Sequence, residues 1–538
     1  MTGTTVEPNV AKSWEIAPDG KSITLYLRKR MKWSDGHPFT ADDVLFWYED
    51  YLLNKELNPS FPVWMAPGGV PGTVEKVDDY TVRINFAYAN GLILESLASV
   101  PVFLPKHYLK QFHPTYTPME KLEAIAKKEG LEYWYQVFQN KDDWIVNPER
   151  PTHKAWKPMN LPTAQNWIME RNPYYWKVDP EGNQLPYVDR IVHELAANAE
   201  MVTMKAVAGE LDMQLRHINV SDFTLLRENA EKGNYRVIQW IPALGSDLAI
   251  FINQNVKDLA LQEIFIRPEF RQALSLAVNR EEINDLIYLG LGEPRQATMI
   301  PESPYYRPEF EKAYAEYDPE RANQMLDAVG LVERGKDGFR LRSDGKTLMV
   351  TIDVAPVFGP WVDVCEMIKM YWEAVGVKTA INTIERGLFF ARAHAGDHEM
   401  NAWNMDRASQ PWYYPCWWVP ATGDSWFAPL TTTWYLTDGK GGEAPPTEEL
   451  QQLIDLYEQL KMTVDPDEKL RVGQEILQLH AENVWSIGTV GLVPSAMCIG
   501  VVKNYFGNVP DESHGAVSDC MFDSPGNGHP EQFFIRQK

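Results

Sequence analysis

Residues 347–354 and 378–384 are strand-like and bracket a helical stretch over 361–375. Two strands joined through a helix lie parallel in one sheet. A parallel sheet is buried on both faces, so this half of the chain must build a layered α/β body.

The opening of the chain has a different grammar. Residues 13–17 and 22–27 alternate around a Pro18-Asp19-Gly20 turn, and residues 74–77 and 80–86 do so around Asp78-Asp79. Between the two hairpins Thr40 is placed to cap a helix, with Asp43 reaching back to it ahead of Val44, Phe46, Trp47 and Tyr51. This region is α+β. Three later helices start at Asn279 with Glu282, at Asp318-Pro319 running to Gly330, and at Asp465-Pro466 running toward His480. There the side-chain oxygen accepts orphan amides, and proline takes the position where its missing N–H costs nothing. A chain of 538 residues outgrows a single core, so two or three domains are expected.

Charge and motif content narrow the function. With 51 Lys and Arg against 74 Asp and Glu, the net charge is −23, which repels nucleic-acid phosphates and excludes them as partners. Cys365, Cys416, Cys498 and Cys520 have neither CxxC nor zinc-ligand spacing, which disfavours a disulfide framework and a structural zinc site. Residues 484–502 are uncharged, but their glycines and Pro494 predict two buried strands and a turn instead of a membrane span. Met1 to Thr5 have no basic or apolar region, so no signal peptide is expected in this sequence. No GxSxG, HExxH, P-loop or strand-linked GxGxxG occurs. His394 and His398 lack the glutamate a metalloprotease needs, and residues 179–189 lack the glycine and terminal glutamate of a calcium loop. No enzyme activity, cofactor or metal is expected.

Tryptophan is the compositional outlier, with 19 in the chain. Trp403, Trp412, Trp417, Trp418, Trp426 and Trp434 fall in a proline-rich stretch in which residues 403–418 have neither helical nor strand period. Rings on such a loop either fill its apolar underside or line a cleft. The interspersed Asp406, Asn404, Gln410 and Arg407 favour a cleft, because indole stacks on the apolar face of a sugar ring while polar neighbours bind its hydroxyls.

Three blocks then carry a resemblance. Residues 11–15, 18–28 and 32–44, including Trp33-Ser34-Asp35-Gly36 and Thr40-Ala41-Asp42-Asp43, resemble the signature of family 5 extracellular solute-binding proteins, the peptide-binding-like components of ABC importers. The likeness continues at Arg171-Asn-Pro-Tyr-Tyr-Trp176, at Arg267 to Arg280 and at Tyr317 to Ala322. It implies an α/β two-lobe periplasmic-binding-protein fold of type II, a Venus flytrap, with an extra α+β subdomain in the first lobe. Residues 1–165 would form that subdomain, 166–245 and 485–538 the first lobe, and 246–484 the second. Relative to the family the chain starts late, so a first strand and its ligand contacts are expected upstream.

Peptide binders of the family carry Trp-x-x-Asp, and Trp403-Asn-Met-Asp406 falls on it. The continuation Arg407-Ala-Ser-Gln-Pro-Trp412 departs from their pattern, as does Lys157-Pro-Met-Asn-Leu-Pro162. The sequence is more similar to the aromatic-rich, oligosaccharide-binding members. The resemblance therefore implies capture of a short oligosaccharide by hinge closure and delivery to ABC permease subunits, with an oligopeptide as the alternative ligand. Trp403, Trp412, Trp417, Trp418 and Trp426 are the stacking candidates, Asp406 the polar anchor, and Tyr88 a further contact. A monomer is expected outside the cytoplasm, periplasmic or lipid-anchored.

Overall fold

The structure, a computed structural model, describes residues 5–494, 498–515 and 528–536. Strands β1 (Ala11–Ile16), β2 (Ser22–Leu27), β3 (Thr73–Asp78) and β4 (Thr81–Asn85) form an antiparallel sheet in the order β1-β2-β4-β3. Ile23 lies opposite Ile84 and Leu25 opposite Val82. Ile23, Leu25 and Ile84 share a core with Phe46, Trp47 and Phe138. The predicted cap forms at Thr40 as a capping box. Asp43 accepts from the Thr40 amide (3.0 Å) and the Trp33 indole (3.2 Å), so the signature tryptophan and aspartate brace each other inside this subdomain.

Next come β5 (Trp156–Pro158), β6 (Asn166–Arg171) and β7 (Arg190–Glu194), a three-stranded antiparallel sheet. Then β8 (Met213–Gln214) and β9 (Tyr235–Pro242) lead through residues 243–245 into β10 (Ser246–Ile252) of a second sheet. After β11 (Glu293–Pro294), that sheet gains β12 (Met349–Val354), β13 (Lys378–Thr383), β14 (Met400–Met405) and β15 (Ser486–Gly488), in the order β13-β12-β14-β10-β15. The chain returns through β16 (Val490–Gly491) to β17 (Ile499–Lys503), β18 (Phe506–Gly507), β19 (Glu512–Gly515) and β20 (Phe534–Ile535). There β19-β9-β17-β8 make a further four-stranded sheet.

The predicted βαβ unit is present: β12 and β13 run parallel, with the helix Trp361–Ala374 between them, and β14 is parallel to β12 on its other side. The predicted helix starts hold at Asn279, Asp318 and Asp465, although the last helix, Pro466–Asn483, outruns its predicted end. Family-signature Arg280 is fully buried and bonds the carbonyls of Gly488 (2.9 Å), Ser275 (3.0 Å) and Ala315 (3.0 Å), clamping β15 to the helix layer. Within the uncharged stretch 484–502, residues 486–488, 490–491 and 499–502 are buried strand, residues 495–497 lie outside the described residues, and no helix among the described residues is long and apolar enough to cross a membrane.

One expectation fails locally. Trp403 lies on strand β14 rather than on a loop. All six residues of this central strand are buried, and a strand covered on both faces loses the alternation that marks strands in a sequence.

The α+β subdomain is also fastened to the helices Glu448–Met462 and Pro466–Asn483. The Gly91 amide donates to the Lys461 carbonyl (2.6 Å), and Lys469 Nζ bonds both the Gly91 carbonyl (2.5 Å) and Glu95 (3.1 Å).

Candidate functional site

The three parallel strands β13, β12 and β14 end on the same side, with Val354 in register with Thr383 and Ala402. Ligands of open α/β sheets bind beyond the carboxyl ends of such strands. The segments that follow supply Phe358 after β12, Arg386 after β13 and Asp406 after β14. From a different sheet, Arg216 follows β8 and reaches the same place: its guanidinium carbon lies 5.2 Å from the Phe358 ring centroid. Arg386 lies 5.4 Å from the same centroid and 5.9 Å from that of Trp403. Two polar turns aim these groups. Arg407 (φ +57°) follows Asp406 and His217 (φ +65°) follows Arg216, left-handed conformations that non-glycine residues adopt only when the surroundings impose them.

Asp406 sits against the lobe crossing. On either side of it the Gly245 amide donates to the Met405 carbonyl (2.8 Å) and the Ala408 amide to the Ala243 carbonyl (3.0 Å). Its Oδ1 accepts from the Trp417 indole (2.9 Å). Burial pushes the nearby Cys416 thiol up, with the charge of Asp406 adding to the effect. That keeps Cys416 an unreactive thiol.

The five predicted tryptophans are only 1–5% exposed and do not form one wall. Trp403, Trp417 and Trp426 belong together. Trp403 is ringed by Trp361 (5.1 Å), Phe389 (5.2 Å), Phe390 (5.3 Å), Trp426 (5.6 Å) and Phe358 (5.9 Å). Trp417 stands 5.3 Å from Trp426. Trp412 packs edge-on against Tyr305 (5.6 Å) near Gly473 of the last long helix. Trp418 packs on His480 (5.4 Å), whose Nε2 lies 2.7 Å from the Trp418 carbonyl. Tyr88, 48% exposed, lies in the α+β subdomain over Gly68. The structure therefore gathers Trp403, Asp406, Trp417 and Trp426 and leaves Trp412, Trp418 and Tyr88 elsewhere.

The far end of the aromatic stretch is tied by Asp424, which meets His394 Nε2 (2.8 Å) and accepts from Tyr414 (2.8 Å). The bond to Asp424 holds His394 above the usual histidine range. His398 is buried against the Trp426 carbonyl (2.9 Å), and burial pushes it down to about 4. Asp179 bonds Asn183 and Tyr187, so its loop is a closed turn. Among the described residues no group of three or more His, Cys, Asp or Glu could hold a metal ion. A groove of about 470 Å³ lined by Arg307, Phe310, Tyr314 and Glu475 lies on the face of the helix Pro466–Asn483 turned away from Trp412.

Phe358, Arg216 and Arg386 are the residues that sequence reading missed. The signal for two of them was available: both follow strands of the recognised βαβ unit at the end where ligands bind.

The comparisons agree with this architecture. The model of bacterial extracellular solute-binding proteins, family 5 (middle region), matches residues 5–426. The periplasmic alpha-galactoside-binding protein of Rhizobium meliloti is 26% identical over 520 residues, 94% of this chain and 71% of its own length. Di/tripeptide-binding protein 3 of Pseudomonas aeruginosa is 26% identical over 417 residues, 74% of this chain and 67% of its own. A probable ABC transporter-binding protein of Deinococcus radiodurans is 27% identical, and the match spans 61% of its length. A solved structure described as oligopeptide-binding protein OppA is 43% identical with TM-score 0.70, covering 98% of this chain and 85% of that one. MelB of Agrobacterium fabrum, solved with stachyose, shares the fold at TM-score 0.74 and 24% identity, covering 99% and 78%. The fold is the two-lobe type II architecture of periplasmic binding proteins. The chain belongs to family 5 of the bacterial extracellular solute-binding proteins.

Proposed function

We propose that this protein captures a short oligosaccharide between its lobes and delivers it to the permease subunits of an ABC importer. The observation that carries the reading is the cluster of Trp403, Phe358 and Phe390 at the carboxyl ends of the parallel strands, to which Asp406 is linked through Trp417 and Trp426. Aromatic faces replace water on the apolar side of a sugar ring, and a carboxylate accepts hydroxyl hydrogen bonds that strengthen once closure excludes solvent. The alpha-galactoside-binding relative, aligned over 94% of the chain, supports a glycan. In this reading Trp417 and Trp426 back the wall, Trp412 and Trp418 anchor its loop from behind, and Tyr88 lies outside it. Residues 1–165 act as the extra subdomain, 166–245 with 485–538 as the first lobe, and 246–484 as the second. The protein works as a monomer outside the cytoplasm, and ligand selects the closed form.

A peptide ligand is the second reading. It is favoured by the 43% identity to the structure described as an oligopeptide-binding protein, and by Asp406 as partner for an ammonium group. Calorimetry against α- and β-linked di- to tetrasaccharides and against di- to pentapeptides, with tryptophan emission followed in parallel, separates the two. Micromolar or tighter glycan binding with an emission change is expected, and binding of peptides alone sinks the oligosaccharide reading.

A further inference from the structure

The loop that completes the aromatic wall has little regular structure of its own. Between Met405 and Pro429 it forms two short 3-10 turns, Pro411–Tyr413 and Pro415–Trp417. It then delivers Trp426 into the ring cluster, 5.3 Å from Phe389 and 5.8 Å from Phe390. Trp426 is 1% exposed, and its Nε1 has no hydrogen-bond partner among the described residues. A buried N–H left unpaired opposes this placement, because water satisfies the group once the ring swings out.

Ring packing resists that swing, and so does a polar clamp centred on Asp424, two residues before Trp426. Asp424 accepts from Tyr414 (2.8 Å) near the start of the loop and meets His394 Nε2 (2.8 Å) at the end of the helix Arg386–His394. Arg407, next to Asp406, lays its guanidinium carbon 4.5 Å from the Tyr414 ring centroid. The His394 ring sits 6.0 Å from Phe390, which stands 5.3 Å from Trp403. The His394–Asp424 bond therefore joins the helix that carries Phe389 and Phe390 to the loop that carries Trp426. The other charges near the imidazole are engaged elsewhere: Arg386 lies about two turns up the helix over Phe358, Arg392 holds Asp353 (2.8 Å), and Asp397 pairs with Lys257. Burial keeps Cys416 a neutral thiol. The bond to Asp424 raises His394. Burial works against the Asp424 carboxylate, but the bonds from His394 and Tyr414 outweigh it and hold that carboxyl below its ordinary value.

We propose that His394 is a positioning residue of the candidate site: its proton completes the ion pair with Asp424 that holds the aromatic loop against the helix, so that mild acid favours the wall and alkaline pH loosens it. Because the folded group is raised, its contribution is full below about pH 6.5 and is lost as pH rises through the folded value. A ligand that needs the wall in place binds only the clamped fraction, so loosening lowers its apparent affinity by the same factor. The inference rests on the wall being the ligand surface, as proposed above, and adds a proton requirement to it.

Hydrogen exchange on the full chain, read by mass spectrometry at about pH 5.5 and about pH 9, tests the clamp without a ligand. Exchange in peptides spanning residues 414–428 is divided by that of the helix Trp361–Ala374 in the same sample, which cancels the pH dependence of the exchange chemistry. Both partners of the pair are partly exposed, so the ratio should rise about two- to fivefold toward the alkaline condition. His394→Gln should show the raised ratio at both conditions, and His394→Arg, which keeps a cation, the low ratio at both. A native ratio that does not move with pH, or a rise that survives in His394→Gln, overturns the inference. Calorimetry with stachyose, the sugar in the MelB structure, then separates the clamp from the reading it rests on. Stachyose affinity should fall by the same factor in the native protein and stay level in His394→Arg, and an affinity that stays level in both overturns the positioning role. Stachyose that binds at neither pH counts against the oligosaccharide reading, and the exchange ratio still decides the clamp.

Discussion

Replacing Trp403 with alanine is the sharpest test of how the aromatic wall is built. Five rings surround this indole at centroid distances of 5.1 to 5.9 Å, and it is 3% exposed. Truncating a buried Trp costs about 3–5 kcal/mol, and aromatic pairs contribute roughly 0.5–1.5 kcal/mol each beyond their buried area. Rings held by one another relax little around a void, so the loss should lie near the upper end, about 5 kcal/mol. Trp403→Phe keeps a ring in the stack with Phe389 and should cost only about 1–2 kcal/mol. Urea unfolding followed by far-UV circular dichroism measures both without relying on the indole that is removed. A loss below about 2 kcal/mol for alanine, or equal losses for the two variants, would mean that Trp403 is not enclosed in this way.

Asp406→Asn keeps an acceptor for the Trp417 indole, so the melting temperature should stay within about 2 °C while ligand affinity falls about tenfold or more, read by calorimetry. His398 and His480 are held neutral by burial, each pushed down to about 4. The unfolded chain binds protons there first, so stability should fall as pH drops from about 6.5 toward 4, and His480→Gln should flatten that slope in thermal melts. His394 has the opposite sign: Asp424 raises it, so its contribution is full below about pH 6.5 and fades as pH rises through its raised value, a dependence that His394→Gln should abolish. A Cβ at Gly91 would overlap the Thr463 carbonyl oxygen. Gly91→Ala should therefore cost about 1–3 kcal/mol and appear as earlier proteolysis between the α+β subdomain and the second lobe.

Much of the scaffold was written in local signals. The capping pair Thr40 and Asp43, the aspartate–proline starts at 318 and 465, and the strand–helix–strand unit around 361–374 are each decided by residues close in sequence. The family signature was equally legible, because Trp33 and Asp43 are partners ten residues apart. The site was only half visible. Trp403 and Asp406 stood out by motif, yet which tryptophans join them depends on how one loop folds over a sheet, and spacing along the chain does not encode that. Trp412 and Trp418 look like their neighbours in sequence and differ only in being claimed by Tyr305 and His480. Arg216 was invisible because its partner, Phe358, is 142 positions away and follows a strand of a different sheet.

In the proposed mode of capture, the bonds that pin Met405 and Ala408 to the crossing residues 245 and 243 set the order in which a ligand is engaged. If the lobes turn about that crossing as proposed, Asp406 lies beside the pivot, where rotation displaces atoms least, and keeps much the same surroundings whether the jaws stand apart or together. In the proposed closure, the Arg216–Phe358 contact is the one that forms as the jaws meet. A ligand can therefore be held first at the carboxylate and gripped second at the rim. That predicts two relaxation phases in rapid mixing: a fast one that scales with ligand concentration and loses rate with Asp406→Asn, and a slower one that saturates and responds to Arg216→Gln alone.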